Sequence, residues 1–290
     1  MTAAREKRTV LITGCSDGSL GAALAIAFHD DGFHVYATAR TVAKMQQCAS
    51  RGIATLPLDV QSESSIAECV ARVKQLDILI NNAGSTMTTS MADTSIPQAK
   101  EVFDINVWGT LATTQAFLPL LLKSKGMVVN NTSIGGILPI PFGGAYGASK
   151  AALAMFSETL RMEVAAFGVN VVELKTGVVG PTNLNKNERS VPVLPEGSIY
   201  APAKDVVEKI LRREGIIEGG MPPPVWARQV VKDLQKRTPP SLIWRGQSAT
   251  LAWLATILPH GLLDGVVKKA TNFAEVEEII LKQSGNGSFK

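Results

Sequence analysis

Residues 9–21 read TVLITGCSDGSLG, an apolar run that ends in a threonine followed by three spaced glycines. The apolar run has the composition of a buried β-strand, and the residues after it begin a pattern with helical period. Glycines between a strand and a helix let the backbone approach a pyrophosphate, whose charge the helix N-terminus stabilises. Because the interval from Gly18 to Gly21 is one residue longer than in the usual dinucleotide fingerprint, an ordinary glycine-rich turn is the alternative.

The alternation of apolar strand and helical pattern continues along most of the chain. Strands that are apolar on both faces and separated by helices are typical of a buried parallel sheet. The sequence therefore predicts an α/β fold, a Rossmann-type doubly wound parallel sheet of about seven strands with a helical C-terminal extension. The predicted strands are 9–14, 34–40, 53–59, 76–84, 126–133, 169–177 and 241–246, and the predicted helices include 20–31, 41–51, 62–74, 97–124, 145–167, 203–214 and 225–236.

The regular pattern stops after residue 182. Residues 183–224 begin as a polar segment interrupted by prolines, which predicts a long loop of the kind that often carries function. We interpret residues 1–246 as one Rossmann-type cofactor-binding catalytic domain that includes this substrate loop. Residues 247–290 are predicted to form a helical extension that packs on the domain or mediates association.

The composition limits the class of protein. The chain has 290 residues, of which 46% are hydrophobic, and a net charge of +4. These values are typical of a folded domain. Its basic residues are scattered apart from REKR at 5–8, so we expect no nucleic-acid binding. Its three cysteines lack metal-ligand spacing, which predicts reduced thiols in a cytoplasmic protein and no metal site. The polar N-terminal residues predict no cleavable signal.

The end of the second predicted strand indicates which nucleotide is bound. Nucleotides without a 2′-phosphate are usually held there by an acidic residue that accepts hydrogen bonds from the ribose hydroxyls. This chain has ATAR, which ends in Arg40 and contains no carboxylate. A guanidinium can hold a 2′-phosphate through charge-assisted hydrogen bonds, so the sequence favours NADP(H). A solvent-exposed arginine without a ligand is the alternative.

Two further turns follow predicted strands at the same edge of the sheet. LDV contains Asp59, whose carboxylate could accept from the adenine amino group, and Val60. NNAG contains Asn82, Ala83 and Gly84, which could line the adenosine pocket. Either turn alone is also explained by ordinary turn chemistry.

AYGASK places Tyr146 and Lys150 at i and i+4, on one face of a predicted helix. A free tyrosine has a pKa of about 10, and a lysine ammonium one turn away, together with a bound nicotinamide cation, would lower that pKa. Ser133, at the end of a predicted strand, could hydrogen-bond a substrate carbonyl oxygen. Asn106, in a predicted helix, could hold a water that continues a proton relay to the lysine. Each residue alone is explained as a helix-surface or capping residue, and the conjunction favours a catalytic site.

With these motifs together, the sequence resembles the short-chain dehydrogenase/reductase family. The matching motifs occur in the family's order: TGCSDGSLG, NNAG, the asparagine of FDINVWG, the serine of NTSIGG, and YGASK, over about residues 9–246. The resemblance implies that Tyr146 donates a proton to a ketone oxygen and that Lys150 lowers the tyrosine pKa and binds the nicotinamide ribose. It also implies that Ser133 orients the carbonyl and that Asn106 serves the relay. The implied cofactor contacts are Gly14, Ser16, Asp17, Gly18, Leu20, Gly21, Arg40, Asp59, Val60, Asn82, Ala83, Gly84, Tyr146, Lys150, Gly177, Val179 and Thr182.

Two features depart from the family pattern. The glycine loop carries its extra residue, which we interpret as a one-residue insertion typical of a subgroup. The Pro-Gly that usually follows the sixth strand is replaced by Thr176 and Gly177. Thr182, the expected contact to the cofactor's carboxamide or phosphates, stands one residue late.

The glycine loop and residues 227–259 are similar to those of a fungal subgroup, which includes NADPH-dependent 1-acyldihydroxyacetone-phosphate reductases and secondary-metabolite reductases. The resemblance implies an NADPH-dependent reductase that transfers a hydride to a ketone of a hydrophobic substrate. Apolar side chains of the substrate loop, such as Val193 and Tyr200, are expected to cover that substrate. The alternatives are a non-catalytic NADP(H)-binding scaffold or regulatory protein, and a biosynthetic enzyme that uses the fold for non-redox chemistry.

Residues 247–270 are apolar enough for three roles: packing against the core, a dimer contact, or a monotopic membrane face. Their side chains include Trp253 and Ile257, and two consecutive lysines could meet anionic headgroups. The third role would place this cytoplasmic protein at the periphery of the ER or of a lipid droplet. The family resemblance implies a homo-oligomer, a dimer or tetramer, formed through the predicted helices at 97–124 and 145–167.

Overall fold

The computed structural model describes residues 7–182, 193–214 and 219–285. The strands in these residues are β1 (Thr9–Thr13), β2 (His34–Ala39), β3 (Ala54–Pro57), β4 (Ile78–Asn81), β5 (Met127–Asn131), β6 (Asn170–Thr176) and β7 (Leu242–Arg245). They form one parallel sheet in the order β3-β2-β1-β4-β5-β6-β7. The chain therefore winds outward from β1 to one side and from β4 to the other, which confirms the predicted doubly wound fold.

Helices connect the strands and continue past the last one. Those described are α1 (Leu20–Asp30), α2 (Gln46–Ala49), α3 (Glu63–Arg72), α4 (Ile96–Phe103), α5 (Thr110–Ser124), α6 (Gly144–Val164), α7 (Lys204–Leu211), α8 (Pro223–Leu234), α9 (Ala249–Ala255), α10 (Asp264–Ala270) and α11 (Phe273–Gly285). The last three form the helical C-terminal extension that the sequence predicts.

Helices cover both faces of the sheet, because successive residues of a strand point to opposite sides. Val10 packs on the face that α1 and α8 cover, where Phe28 and Trp226 are fully buried. Leu11 packs on the opposite face, with Phe117 of α5. Burial of each such side chain stabilises the fold by about 1.5–3 kcal/mol. The central positions of the strands are therefore largely apolar on both faces.

The prediction of a helix over 41–51 is wrong in extent. The segment forms a 3₁₀ turn at Val42–Lys44 followed by the single turn of α2. Among residues 41–51 only Met45 and Cys48 are buried. Since short helices depend on packing of an apolar face for their stability, two buried side chains do not support a longer helix.

The helix predicted over 97–124 is interrupted. Between α4 and α5 the backbone forms a π-helical segment at Asp104–Gly109. By length and apolar composition the whole run Ile96–Ser124 could cross a membrane. Phe117 and Leu121 nevertheless lie in the core beneath the sheet, so we describe the run as a core helix.

The C-terminal helices pack on two segments that border the predicted site. Through Ala252 and Val267, α9 and α10 contact a cluster that includes Ile134, just after β5. Val276 of α11 belongs to another cluster, together with Phe142. The extension therefore lies against the segment that connects β5 to α6.

Candidate active site

The predicted site residues lie at the carboxyl edge of the sheet, where the strand order reverses. β1 and β4 are neighbours there, yet the chain leaves them in opposite directions, which opens a crevice beyond their ends. The turn after β1 holds the glycine loop, and the turns after β4 and β5 hold the NNAG motif and Ser133. The fold thus brings the separate motifs to one edge.

The backbone of the glycine loop needs its glycines for two different reasons. Gly14 and Gly18 have φ angles of +75° and +77°, which residues with a Cβ rarely adopt. Gly21 is required by close packing instead. A Cβ at that position would overlap the Gly14 carbonyl and lie 2.6 Å from Asn82 Nδ2.

The extra residue of this loop is accommodated at the start of α1. Ser19 is the N-cap, and its hydroxyl accepts from the Ala22 amide at 3.0 Å and donates to the Gly14 carbonyl at 2.9 Å. Leu20 is then the first helical residue. The lengthened interval therefore still ends in a capped helix N-terminus that points at the crevice.

The NNAG turn holds the glycine loop in place. Thr13 Oγ1 accepts from the backbone amides of Asn82 and Ala83, both at 2.9 Å. Asn82 Nδ2 donates to the Thr13 carbonyl at 2.9 Å, and its Oδ1 accepts from Asn131 Nδ2 at 2.9 Å. Asn82 and Ala83, predicted as adenosine contacts, thus also position the loop, and Gly84 follows them at the crevice.

Asp17 and Ser16, also predicted to contact the cofactor, organise the loop internally. The Asp17 carboxylate accepts from the backbone amides of Gln46 and Gln47 at 3.0 and 2.9 Å, at the N-terminus of α2. The Ser16 carbonyl accepts from the Ser19 amide at 2.9 Å. The Asp17 side chain therefore ties the glycine loop to the segment that follows β2.

Arg40 is exposed directly after β2. The glycine loop runs beside the end of that strand, since the Cys15 amide donates to the Thr38 carbonyl at 2.8 Å. Asp59 and Val60 follow β3, the next strand of the sheet, and are half-buried and buried respectively. All three predicted residues therefore lie on the side of the crevice where the sequence expects the adenosine half of a dinucleotide.

Tyr146, Ser133 and Lys150 converge beyond the end of β5. Ser133 Oγ and the Tyr146 ring lie on the same side of Gly135, where a Cβ would be 3.4 and 3.7 Å from them. Lys150 lies one turn further along α6, with Nζ 5.8 Å from the centroid of the Tyr146 ring. This buried ammonium donates to the Asn131 carbonyl at 2.9 Å. The i, i+4 pair of the sequence does face the site.

Burial changes the proton affinity of both groups. It lowers the pKa of Lys150 to about 8, because the ammonium loses solvation. Burial also raises the pKa of Tyr146, and this effect exceeds the lowering due to the Ser133 hydrogen bond and the positive charge of Arg213. The protein's own groups therefore leave the pKa of Tyr146 above its usual value. That Lys150 and a bound nicotinamide together lower this pKa stays a prediction.

Asn106 is fully buried in the π-helical segment, and its amide connects three parts of the site. Nδ2 donates to the Ser85 carbonyl and to Ser149 Oγ, both at 2.9 Å, and Oδ1 accepts from the Ser85 amide at 2.8 Å. A Cβ on Gly84 would lie 3.2 Å from Asn106 Oδ1 and 3.7 Å from Lys150 Nζ. Asn106 and the ammonium therefore border the same gap, as a relay requires.

Ser149 is a positioning residue that the sequence reasoning missed. It is fully buried, and its hydroxyl donates to the Tyr146 carbonyl at 2.7 Å while accepting from Asn106. The signal in the sequence was a small polar residue directly before Lys150 on a helix face. Helical spacing alone did not show that this face is turned inward.

Three predicted cofactor contacts follow β6. A Cβ on Gly177 would overlap the backbone of Gln247, so two chain segments pass in close contact there. Val179 is buried and pairs with Met221 in an isolated bridge. Thr182 is half-buried. These three residues stay predictions as cofactor contacts, and the geometry of Val179 shows a role in the core.

Arg213, which the sequence reasoning did not single out, reaches the site from the substrate loop. It follows α7, and its Nη2 donates to Thr86 Oγ1 at 2.9 Å. Thr86 is buried in the segment after β4. No sequence pattern indicates this contact, because 127 positions separate the two residues.

A cavity of about 540 Å³ borders the segment between β5 and α6, and its lining residue Gly135 lies close to the predicted catalytic residues Ser133 and Tyr146. Gly135 and Gly147 of its lining are sequence neighbours of Ser133 and Tyr146, and its other walls include Phe142, Tyr200 and Phe273. Tyr200 of the predicted lid therefore borders the cavity. Val193 is exposed instead, and the parts of the substrate loop at 183–192 and 215–218 lie outside the described residues.

The arrangement can support reduction or oxidation at a carbon atom, because a nucleotide fits in the crevice and the Tyr146 hydroxyl beside it can act as an acid. Among the described residues, no three His, Cys, Asp or Glu side chains are grouped as a metal site requires. A glycine loop at the β1–β4 switch point and a Ser-Tyr-Lys set after β5 together define a dinucleotide-dependent oxidoreductase.

Comparison with known proteins gives the family. The sequence profile of the short chain dehydrogenase family matches residues 8–192. A short-chain dehydrogenase/reductase of Pestalotiopsis microspora is 49% identical over 274 residues, covering 94% of this chain and 97% of that protein. The NADPH-dependent 1-acyldihydroxyacetone phosphate reductase of Schizosaccharomyces pombe is 36% identical over 267 residues, covering 87% and 90%.

A solved structure gives the same result. A short-chain dehydrogenase from Streptomyces avermitilis superposes with a TM-score of 0.74 at 29% identity, covering 95% of this chain and 98% of that one. The chain belongs to the short-chain dehydrogenase/reductase family, as its motifs predicted, and is an oxidoreductase.

Proposed function

We propose that this chain is an NADPH-dependent reductase that transfers a hydride to a ketone of a hydrophobic substrate, a lipid precursor or a secondary metabolite. The observation that carries the proposal is the convergence of Tyr146 and Ser133 beside the buried ammonium of Lys150, whose Nζ lies 5.8 Å from the centroid of the Tyr146 ring. A hydroxyl acid, a second hydroxyl donor and a cation at one point suit a carbonyl oxygen that gains negative charge as it is reduced.

The residues present fit a dinucleotide. Gly14 and Gly18 adopt the left-handed φ angles of a tight turn, and Gly21 lets that turn pack against the start of α1. The N-terminus of α1 favours the pyrophosphate charge. NADPH, when bound, supplies the hydride. The chain's own residues bind and orient the nucleotide and supply the proton.

Arg40 supports NADP(H) over NAD(H). Arg40 is exposed directly after β2, a position from which a guanidinium can reach a ribose 2′-phosphate, and the strand before it offers no carboxylate for a ribose hydroxyl. The S. pombe relative is named for its dependence on NADPH. Both observations favour the same cofactor.

The proposed proton route ends at Tyr146. The Tyr146 hydroxyl would give its proton to the carbonyl oxygen, and NADPH, when bound, would supply the hydride for the carbonyl carbon, so that a ketone, NADPH and a proton would become an alcohol and NADP⁺. Ser133 donates a hydrogen bond to the same oxygen, and Lys150 stabilises the tyrosinate that is left. Asn106 borders the gap beside Lys150, which suits a relay that returns a proton from solvent.

The cavity supports the proposal of an apolar substrate. Its walls include Ile140, Phe142, Tyr200 and Phe273, so most of a bound molecule would contact apolar side chains. The relative in S. pombe acts on an acyl-bearing ketone by its name. We infer a ketone with an apolar body that enters this cavity.

Tyr146→Phe tests the function. In a screen for NADPH oxidation with 1-acyldihydroxyacetone phosphate, steroid-like ketones and polyketide ketones, the natural sequence should turn over at least one class. The variant should lose that activity by about 10³-fold, because it lacks the acid, and should bind NADPH within about twofold. Tyr36→Phe, on β2, is the control and should keep both properties. Full turnover by Tyr146→Phe would contradict the mechanism.

Arg40→Asp tests the cofactor half of the proposal. The kcat/KM ratio of NADPH to NADH should fall by about 100-fold or more, because the variant repels the 2′-phosphate and can accept from ribose hydroxyls. Arg51→Asp, at another exposed arginine, should leave the ratio unchanged. An unaltered ratio in Arg40→Asp would remove this residue from the cofactor site.

We propose in addition a cytoplasmic homo-oligomer that touches a lipid surface, at the ER or a lipid droplet, through residues 247–270. Trp253, Ile257 and Leu262 expose 47%, 64% and 61% of their surface, which supports an apolar face there. Lys268 is hydrogen-bonded to Glu277 at 2.6 Å. Lys269, which is exposed, is the better placed of the two lysines for a lipid headgroup.

A further inference from the structure

Arg213 is a cation placed at the reacting centre by tertiary structure. Its backbone has a φ angle of +55°, a conformation that costs a non-glycine residue free energy. The side chain is half-buried and donates to Thr86, which directly follows Ser85, the residue that holds Asn106. The guanidinium is therefore fixed beside the catalytic network although it lies far from it in sequence.

The positive charge of Arg213 acts on the Tyr146 hydroxyl. Together with the hydrogen bond from Ser133, it opposes the rise in the pKa of Tyr146 that burial causes. The neighbouring Arg212 is exposed and pairs with Glu214 and Glu208, at 2.7 and 3.7 Å. The two adjacent arginines thus face different surroundings, and Arg213 is the one that reaches the site.

A second contact holds the substrate loop against the same segment. Ser198 Oγ donates to Asp93 Oδ2 at 2.7 Å, and Ser90 Oγ donates to the same oxygen at 2.6 Å. The loop is thus tied to the segment after β4 independently of Arg213. A change at Arg213 therefore leaves this second tie in place.

We propose that Arg213 binds an anionic group, a carboxylate or a phosphate, that the ketone substrate carries close to its carbonyl. The inference rests on the proposed reductase function and adds a charge to the apolar substrate described above. A guanidinium keeps its charge at all working pH values and offers five N–H donors in a planar fork that matches both anions. Arg213 contacts Thr86, and Ser90 and Met91 of the same segment line the apolar cavity. The ligand that fits both is an amphiphile, an apolar chain with an anionic end beside the ketone.

The experiment compares matched ligands in the full-length enzyme. Reduction is measured with a short-chain 1-acyldihydroxyacetone phosphate and its dephosphorylated ketone, and with a 3-oxo acid and its methyl ester. Calorimetry on the NADP⁺-loaded enzyme measures binding of the corresponding alcohols. The variants are Arg213→Gln, Thr86→Val, which removes the hydrogen bond and keeps the cation, and Arg212→Gln as the neighbouring control.

The natural sequence should prefer the charged member of at least one pair by about tenfold or more, in kcat/KM and in affinity. Arg213→Gln should abolish that preference, whereas Arg212→Gln and Thr86→Val should keep most of it. Equal affinity for charged and neutral members of both pairs, or a preference that survives Arg213→Gln, would overturn the inference. If none of the ketones supports NADPH oxidation, but the binding preference for the charged ligand is lost in Arg213→Gln, the result would count against the reductase function and uphold the anion site.

Discussion

Lys150 carries the most consequential charge of the site. Its ammonium is almost completely buried and donates to the Asn131 carbonyl, and burial lowers its pKa to about 8. In an unfolded chain the same group has a pKa of about 10.4. At neutral pH the folded protein therefore holds a charge that burial disfavours, and this lowers its stability in favour of function.

This shift predicts a pH-dependent stability. Between a pH of about 8 and about 10.4 the unfolded chain retains a proton that folded Lys150 has released, so the stability of the natural protein rises with pH. Lys150→Met removes this dependence. Between pH 8 and pH 9.5 the unfolding free energy of the natural protein should rise by about 1.5 kcal/mol relative to that of Lys150→Met. Urea unfolding without cofactor measures both values.

Lys123→Met provides the control for that measurement, because this lysine is exposed on α5. Its unfolding free energy should follow that of the natural protein at every pH. Parallel curves for Lys150→Met and the natural protein would show that the buried ammonium has an ordinary pKa.

Residues that follow a local rule could be predicted from the sequence, and those that depend on tertiary contacts could not. Tyr146 and Lys150 are one helical turn apart, so spacing alone places them on one face. Ser149 lies beside them, but its role depends on Asn106, 43 positions earlier. Arg213 contacts Thr86 only because the residues that follow α7 lie against the segment after β4.

At the scale of elements, the junction of β1 and α1 is built around one close contact. Gly21 lies in the first turn of α1, where alanine would ordinarily stabilise a helix by about 0.5–1 kcal/mol over glycine. Here a Cβ would meet the Gly14 carbonyl and Asn82 Nδ2. Packing therefore outweighs helix propensity at this position.

Gly21→Ala should accordingly destabilise the protein by about 1–3 kcal/mol, the usual range for overpacking, and weaken NADPH binding by displacing the loop. Gly265→Ala is the matched control, since this glycine also lies in a helix, α10, and a Cβ there meets no atom within 4 Å. Thermal unfolding and NADPH fluorescence titration measure both effects. A Gly21→Ala protein as stable as the control would contradict the packing argument.

Helices and strands could be predicted where the apolar periodicity extends over many residues. The predictions were wrong where contacts with other parts of the chain change the backbone. The helix over 97–124 has an unbroken apolar pattern, but Asn106 is turned into the site by a π-helical segment at 104–109. The hydrogen bonds that fix Asn106 come from Ser85 and Ser149, both outside that helix. A pattern confined to the helix could not show this change.

At the scale of the whole molecule, the doubly wound sheet was predictable because burial on both faces makes the centre of most strands apolar, and helical patterns separate the strands. The position of the C-terminal extension was not predictable, because an amphipathic pattern shows that a helix packs against the protein but does not show which surface it contacts. Val276 and Phe273 of α11 pack with Phe142, and Phe142 and Phe273 line the cavity. Removing the extension would therefore damage the site, so its surface must be tested by point substitution.

The exposed face of the extension gives the last prediction. Substituting serine at Trp253, Ile257 and Leu262 should lower the partition of the full chain onto anionic vesicles by at least about tenfold, because burying each such side chain in lipid contributes about 1.5–3 kcal/mol. All three are exposed in the structure, so folding and NADPH binding should persist. Flotation on a density gradient measures the partition.

A second pair of exposed apolar residues separates membrane contact from self-association. Met155 and Met162 on α6 expose 66% and 74% of their surface, on a helix predicted to mediate oligomer formation. Serine at both positions should leave flotation unchanged and reduce the particle size in light scattering. If the Trp253, Ile257 and Leu262 variant instead loses its oligomeric state and floats as before, then residues 247–270 form a contact between subunits, because the same apolar area would be buried against protein and not lipid.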